Sequence, residues 1–210
     1  MMNKAINLFI IMILAAQTVG AQIRTTKLTA YKQFKPSIIT LKDGRQLKQP
    51  LTNIFLKNSS LLYMNGVNSM EANMDNIVSV KFDDRTYIKI DSLLCYQVDT
   101  IGNDALFRAT VIDLVAYKQQ LKNNQVITNM DLGDQISTTT IDISSEDDYL
   151  YPLIDIYYFR YKGKFVRSHE RNLGRALPKD KQRMLKTFVN MPDFSWTDEQ
   201  SLLRLLKALQ

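Results

Sequence analysis

Short apolar runs separated by turn residues fill the stretch from residue 37 to residue 90. The run at 38–41 ends in Asp43-Gly44, a preferred two-residue hairpin turn. Further runs follow at intervals of a few residues, and apolar and polar residues alternate at 70–74, as in a half-buried strand. Strands this short and this closely spaced predict a small antiparallel β-barrel or roll over residues 36–92. Residues 22–35 are more polar and predict a loosely ordered lead-in or an edge segment.

The next part of the chain mixes strand and helix patterns. Further strands are predicted at residues 93–98, 105–114 and 136–143, with a short helix at 116–122. The clearest hairpin joins 154–161 to 164–167 through Lys162-Gly163. Both faces of its first strand are largely apolar, which favours a central position in a sheet.

Two helices are predicted at the C-terminus. Pro178 suits the first position of a helix, since its missing N–H would have no partner there. Thr197 and Gln200 match a capping box that begins the second helix, with Trp196 packed beneath it. Leucines then recur at helical spacing, which indicates a core-facing stripe. The predicted fold class is therefore α+β: an N-terminal barrel or roll, then an α+β region over 93–210 with a mixed sheet and two C-terminal helices.

The N-terminus has the pattern of an export signal. Lys4 precedes the apolar run 8–16, which is too short for a membrane span. Val19-Gly20-Ala21 then predicts cleavage before Gln22; an uncleaved N-terminal anchor is the alternative. No later segment is long and apolar enough to cross a bilayer, so we expect a periplasmic or secreted protein.

Two segments carry a resemblance to other exported proteins. The stretch 43–84 contains Asp-Gly turns and an Ile-x-x-Val-x-Phe strand before Asp83-Asp84. It resembles the small SH3-like barrels of exported bacterial proteins. The closing stretch from Tyr157 to the terminal Leu-rich helix resembles the ends of uncharacterised exported proteins. The resemblance implies a fold and a location, and it transfers no functional residue.

Motifs for catalysis and cofactor binding are missing from the sequence. One Cys and one His exclude an internal disulfide framework and the usual zinc sites, and no cofactor is expected. Cys95 lies in an apolar run, which indicates an inert buried thiol. His169 lies between Ser168 and Glu170, but adjacent side chains diverge, so a surface or capping histidine is favoured over a triad.

The layout of charge is the strongest functional signal. The chain has a net charge of +6, and between residues 129 and 159 it has seven acidic residues but no Lys or Arg. Residues 160–186 then contain ten basic residues and two acidic ones. We single out five candidate ligand-binding cations on the hairpin and the first C-terminal helix: Lys162, Lys164, Lys179, Arg183 and Lys186. The alternative is that the acidic and basic blocks neutralise each other.

Three functions follow from these features. The preferred one is a non-catalytic envelope interaction or structural protein. The second is a binder of an anionic envelope component, such as polysaccharide, lipid head groups or an acidic protein, through residues 160–186. The third is a glycan hydrolase that uses carboxylates alone. Nucleic acid is disfavoured as a partner, because export removes the protein from it.

Two short motifs suggest a modification. Asp91-Ser92-Leu93 and Asp99-Thr100-Ile101 resemble the O-glycosylation sequon of some exported anaerobe proteins, with Ser92 and Thr100 as the acceptors.

Overall fold

The computed structural model describes residues 22–123 and 150–210. The signal segment, the strand predicted at 136–143 and the acidic turn at 146–148 lie outside the described residues.

Most of the predicted strands are present, with bounds shifted by a few residues. In chain order they are β1 (Arg24–Thr25), β2 (Lys35–Leu41), β3 (Gln46–Phe55), β4 (Ser60–Asn65), β5 (Asn68–Glu71), β6 (Ile77–Lys81), β7 (Thr86–Ile90), β8 (Leu93–Ile101), β9 (Asp104–Ile112), β10 (Tyr151–Tyr161) and β11 (Lys164–Arg167). A short 3-10 turn, Met74–Asn76, precedes β6.

These strands form one curled antiparallel sheet, shaped like half a barrel. Within the described residues the strand order is β1-β10-β9-β8-β7-β6-β2-β3-β4-β5, and β11 also pairs with β10. Every pairing between these strands is antiparallel. Strand β10 has partners along both edges, as its apolar faces predict. The lead-in joins the sheet through β1, in agreement with an edge segment.

The sheet continues across the point where the sequence predicts a barrel or roll to end. Strands β7 and β8 pair from Tyr87↔Tyr96 to Ile90↔Leu93, joined only by Asp91 and Ser92. Asp91 has a φ of 53°, the left-handed conformation that a tight two-residue hairpin needs. A hairpin this tight leaves no linker between residues 92 and 93. The predicted mixed second sheet is therefore, in the structure, an antiparallel extension of the first.

Four α-helices accompany the sheet in the described ranges. They are α1 (Leu114–Asn123), α2 (Glu170–Ala176), α3 (Lys179–Val189) and α4 (Glu199–Ala208). The sequence predicted α1, α3 and α4 but not α2. None of the helices in residues 22–123 and 150–210 is long and apolar enough to span a membrane.

Capping side chains explain where two of these helices begin. The Asp113 carboxylate accepts hydrogen bonds from the backbone N–H groups of Val115 and Ala116, at 3.1 and 3.0 Å, so α1 begins before the predicted residue 116. The N-cap of α4 is Asp198, whose carboxylate accepts from the N–H of Ser201 at 2.7 Å. The capping box predicted at Thr197 was thus wrong by one residue, because an Asp next to it takes the same role with the charge that a helix N-terminus favours.

Helices α2, α3 and α4 cover one end of the sheet. The odd-numbered residues Tyr157, Phe159 and Tyr161 of β10 form a cluster with Leu106 and the buried leucines of these helices. Leu202, Leu205, Leu206 and Leu209 are all buried in it, and Trp196 packs against it, as predicted. At the other end, α1 packs Tyr117 against Tyr151, with ring centroids 5.0 Å apart.

We expect Phe159→Ala to lower the free energy of unfolding by about 3–5 kcal/mol, because a fully buried ring leaves a cavity between sheet and helices. The fluorescence of Trp196, the single Trp, reports on the helical end, and far-UV circular dichroism reports on the sheet. Both signals should shift together in urea. Ile154→Ala is the control, on the opposite face of the same strand and 40% exposed, and it should cost less than about 1 kcal/mol. Two separate transitions would contradict one cooperative unit.

Candidate functional site

The hairpin between β10 and β11 presents two of the predicted cations. Lys162 and Gly163 have φ values of 49° and 78°, the positive values of a two-residue hairpin turn. The backbone N–H of Lys162 donates to the carboxylate of the buried residue Asp104 at 2.8 Å. This bond holds the turn in place while the Lys162 and Lys164 side chains are exposed to solvent.

Helix α2 follows the hairpin and adds two cations that the five-residue set left out. Its N-cap is His169, whose Nδ1 accepts from the N–H of Arg171 at 3.2 Å, which confirms a capping histidine. Leu173 is fully buried in the core, which fixes the inner face of the helix. Arg171 and Arg175, one turn apart, remain exposed on the outer side.

Helix α3 carries the other three predicted cations. Leu185 is buried, while Lys179, Arg183 and Lys186 are exposed. Lys181 has a different role: its Nζ donates to the carbonyl oxygens of Leu209 and Gln210 just beyond α4. A cation suits these carbonyls because the end of a helix carries partial negative charge. Lys181 thus ties α3 to α4 rather than serving a ligand.

A shallow groove runs between α2 and α3. Its lining residues are His169, Glu170, Arg171, Gly174, Arg175, Gln182, Leu185 and Lys186. Lys186 of the predicted set therefore meets Arg171 and Arg175, with Glu170 as the only acid in the lining. The hairpin lysines and Lys179 and Arg183 do not line this groove. We call the exposed cations of the hairpin tip, α2 and α3 the basic face.

The cations of the basic face form no ion pairs with acidic residues in the part of the chain that the structure describes. Its seven cations are Lys162, Lys164, Arg171, Arg175, Lys179, Arg183 and Lys186, and none of them forms an ion pair with a residue in 22–123 or 150–210. Of the acidic block, Asp155 alone falls in these ranges, and it contacts Arg108 at 3.5 Å instead. The other six acidic residues of that block lie outside the described ranges.

The structure also places the other residues that the sequence singled out. Cys95 is fully buried, and burial, assisted by the charge of Asp91, raises the pKa of its thiol to about 12. The side chains of Ser92 and Thr100 are exposed, at the β7–β8 turn and near the end of β8. Their modification stays a prediction, and a single unmodified intact mass for protein from the native host would contradict it.

Comparison with known proteins found no family model, curated protein or solved structure that matches the chain.

A substitution at Gly174 tests the local structure of the groove, and one at Gly44, in the β2–β3 turn, is its contrast. A Cβ added at Gly174 would lie 3.8 Å from Leu185 Cδ2, an ordinary contact, so Gly174→Ala should stabilise by roughly 0.5–1 kcal/mol through helix propensity. Gly44→Ala is the contrasting case: it has open space but a φ of 83°, and should destabilise by about 1 kcal/mol. Chemical denaturation measures both. Destabilisation by Gly174→Ala would contradict a helix at α2.

Proposed function

We propose that this chain is an exported, periplasmic or secreted, non-catalytic protein that interacts with an anionic component of the bacterial envelope through the basic face. The observation that carries the proposal is the basic face itself, whose seven cations are exposed and form no ion pair among the described residues. Three of them, Arg171, Arg175 and Lys186, line one groove beside a single acid. The N-terminal export pattern and the resemblance of residues 43–84 to SH3-like modules of exported proteins are consistent with it.

The physical basis is long-range attraction by exposed like charges. Cations that are solvated and lack acidic partners are not needed to hold the fold together, since exposed ion pairs contribute only about 0–1 kcal/mol each. Where such cations lie close together, as Arg171, Arg175 and Lys186 do in the groove, they create a positive potential that attracts polyanions and speeds their association. Polysaccharide, anionic lipid head groups and acidic protein all share the chemistry that this face recognises.

A charge-reversed variant tests the proposal. Lys162, Lys164, Lys179, Arg183 and Lys186 are changed together to Glu. Because all five side chains are exposed, the melting temperature should stay nearly unchanged. Retention on heparin or on isolated cell envelope at low salt should be lost. Retention of the unmodified protein should also fall as salt is added, because ions screen exposed charges over about 10 Å at 0.1 M ionic strength.

The matched control reverses five exposed lysines elsewhere: Lys32, Lys42, Lys48, Lys81 and Lys122. Its net charge equals that of the test variant, so equal loss of retention in both would show an effect of overall charge and would overturn the proposal. Unchanged retention of the test variant would overturn it too. A large drop in melting temperature would mean that the five residues pair inside the fold.

The glycan-hydrolase alternative depends on one pair of acids. Asp155 and Glu199 both contact Nη1 of Arg108, at 3.5 and 3.0 Å, so two carboxylates meet at one guanidinium, and glycoside hydrolysis uses two carboxylates on one substrate. We would expect Asp155→Asn and Glu199→Gln each to abolish hydrolysis of envelope glycan, and the absence of any hydrolysis by the unmodified protein would end this alternative.

A further inference from the structure

A cavity of about 230 Å³ lies inside the curl of the sheet, and none of its lining residues belongs to the basic face. Its lining includes Ile54 of β3 and Leu153 of β10, which are far apart in the strand order. Such strands approach each other only across the concave side. The segment after β3 closes one side of the cavity, where the N–H of Ile112 donates to the Leu56 carbonyl at 2.7 Å.

Two arginines and a tyrosine form the polar wall of this cavity. The guanidinium carbon of Arg85 lies 4.1 Å from the ring centroid of Tyr96, and that of Arg108 lies 5.0 Å from it. All three residues line the cavity. Stacking on an aromatic face holds a guanidinium in a fixed position while its N–H groups stay available in the plane of the group.

Arg85 is left with an unused charge because its acidic neighbours are engaged elsewhere. Lys35 Nζ contacts Asp83 at 2.9 Å and Asp84 at 2.7 Å. The hydrogen bond from Lys35 is the largest cause that lowers the pKa of Asp83. Within residues 22–123 and 150–210, Arg85 itself forms no ion pair.

Arg108 is only partly satisfied. Its Nη1 contacts Glu199 and Asp155, but its Nε is buried and has no hydrogen-bond partner among the described residues. Buried polar groups nearly always have a partner, and a missing one costs about 1–3 kcal/mol. The guanidinium of Arg108 also lines the cavity, where its other N–H groups can donate to a bound anion.

The hydroxyl groups around the cavity indicate that a bound molecule would need hydrogen-bond donors such as O–H groups. Thr110 already donates to Asp155 at 2.5 Å, Thr29 to the Tyr31 carbonyl at 2.9 Å, and Ser59 to the Leu94 carbonyl at 2.7 Å. Since their protons are committed, these hydroxyls offer lone pairs, which accept from ligand O–H groups. Apolar side chains complete the wall, so a compact carbon skeleton fits between them.

We propose that this cavity binds a small hydroxylated carboxylate, such as a sugar acid, with its carboxylate held by Arg85 and Arg108 beside Tyr96. The cavity is smaller than the usual range of about 300–1,000 Å³ for ligand sites, which favours a single sugar-sized molecule. The site is distinct from the basic face and does not depend on the function proposed for that face.

The test uses the protein expressed from its full-length gene, with D-glucuronate as the probe and glucose as its neutral counterpart. Calorimetry should detect binding of glucuronate and none of glucose, and amide chemical shifts should change around Tyr96 and Arg108. Arg85→Gln should weaken glucuronate binding roughly tenfold or more, because it removes a charged hydrogen-bond donor. Arg85 is exposed, so the fold should tolerate the change.

Arg45→Gln is the matched control, an exposed arginine that pairs with Asp43 in the β2–β3 turn, and it should bind glucuronate like the unmodified protein. Arg85→Lys keeps the charge and should recover part of the affinity. Absence of glucuronate binding, equal binding of glucose, or unchanged affinity in Arg85→Gln would each overturn the proposal. Inorganic phosphate binding as tightly as glucuronate would overturn the part assigned to the hydroxyl groups.

Discussion

Coverage of the inner face of the curled sheet is the constraint on which the rest of this structure depends. An antiparallel sheet that curls has one concave apolar face, and that face must be removed from water. At one end, the buried leucines of α2, α3 and α4 lie on Leu106 and Phe159. At the other, α1 and the lead-in segment cover Phe55 and Ile112. Between these covers the face is incompletely filled, and that gap is the cavity.

The same constraint explains why polar residues sit where they do. After Asp104 at its start, strand β9 is apolar except at Arg108 and Thr110, which line the gap between the two covers. Asp155 lies opposite Thr110 on β10, and Glu199 reaches Arg108 from the start of α4. These groups are 20–30% exposed, so their charges interact more strongly than those of fully solvated pairs and also keep some contact with water. Docking of α4 therefore helps to build the polar wall.

Much of the fold was predictable from local pattern, and the exceptions have physical reasons. Short apolar runs between turn residues identify most of the strands from β2 to β11, but such runs look the same whether the strands close into a small barrel or continue into one sheet. Only the tightness of the Asp91-Ser92 hairpin argues for continuity. Helix α2 has one buried leucine and a glycine in seven residues, so it lacks the periodicity that reveals a helix. Its existence depends on Leu173 reaching the core and on the cap from His169.

The sequence indicated the cations of the basic face more clearly than the two arginines of the cavity. The basic face was visible as a run of Lys and Arg in 160–186, although the groove partners Arg171 and Arg175 became apparent only with α2 in place. Arg85 and Arg108 are 23 positions apart, but Arg108 pairs with Tyr96 across β8 and β9, and Arg85, just before β7, lies over the Tyr96 ring. The one available signal was a lone arginine within the apolar strand β9.

Their surroundings also give the two groups different physical behaviour. Cations on the basic face are exposed to solvent, so salt screens their attraction for a ligand over short distances. In the cavity, Arg85 is exposed but lies against Tyr96, whereas the Arg108 side chain is only 30% exposed, so a carboxylate bound beside Arg108 is screened less. One face thus suits extended polyanions held loosely and reversibly, and the cavity suits a single small anion held by directed hydrogen bonds. The two proposed binding surfaces share no residue, so a change in one can be tested without altering the other.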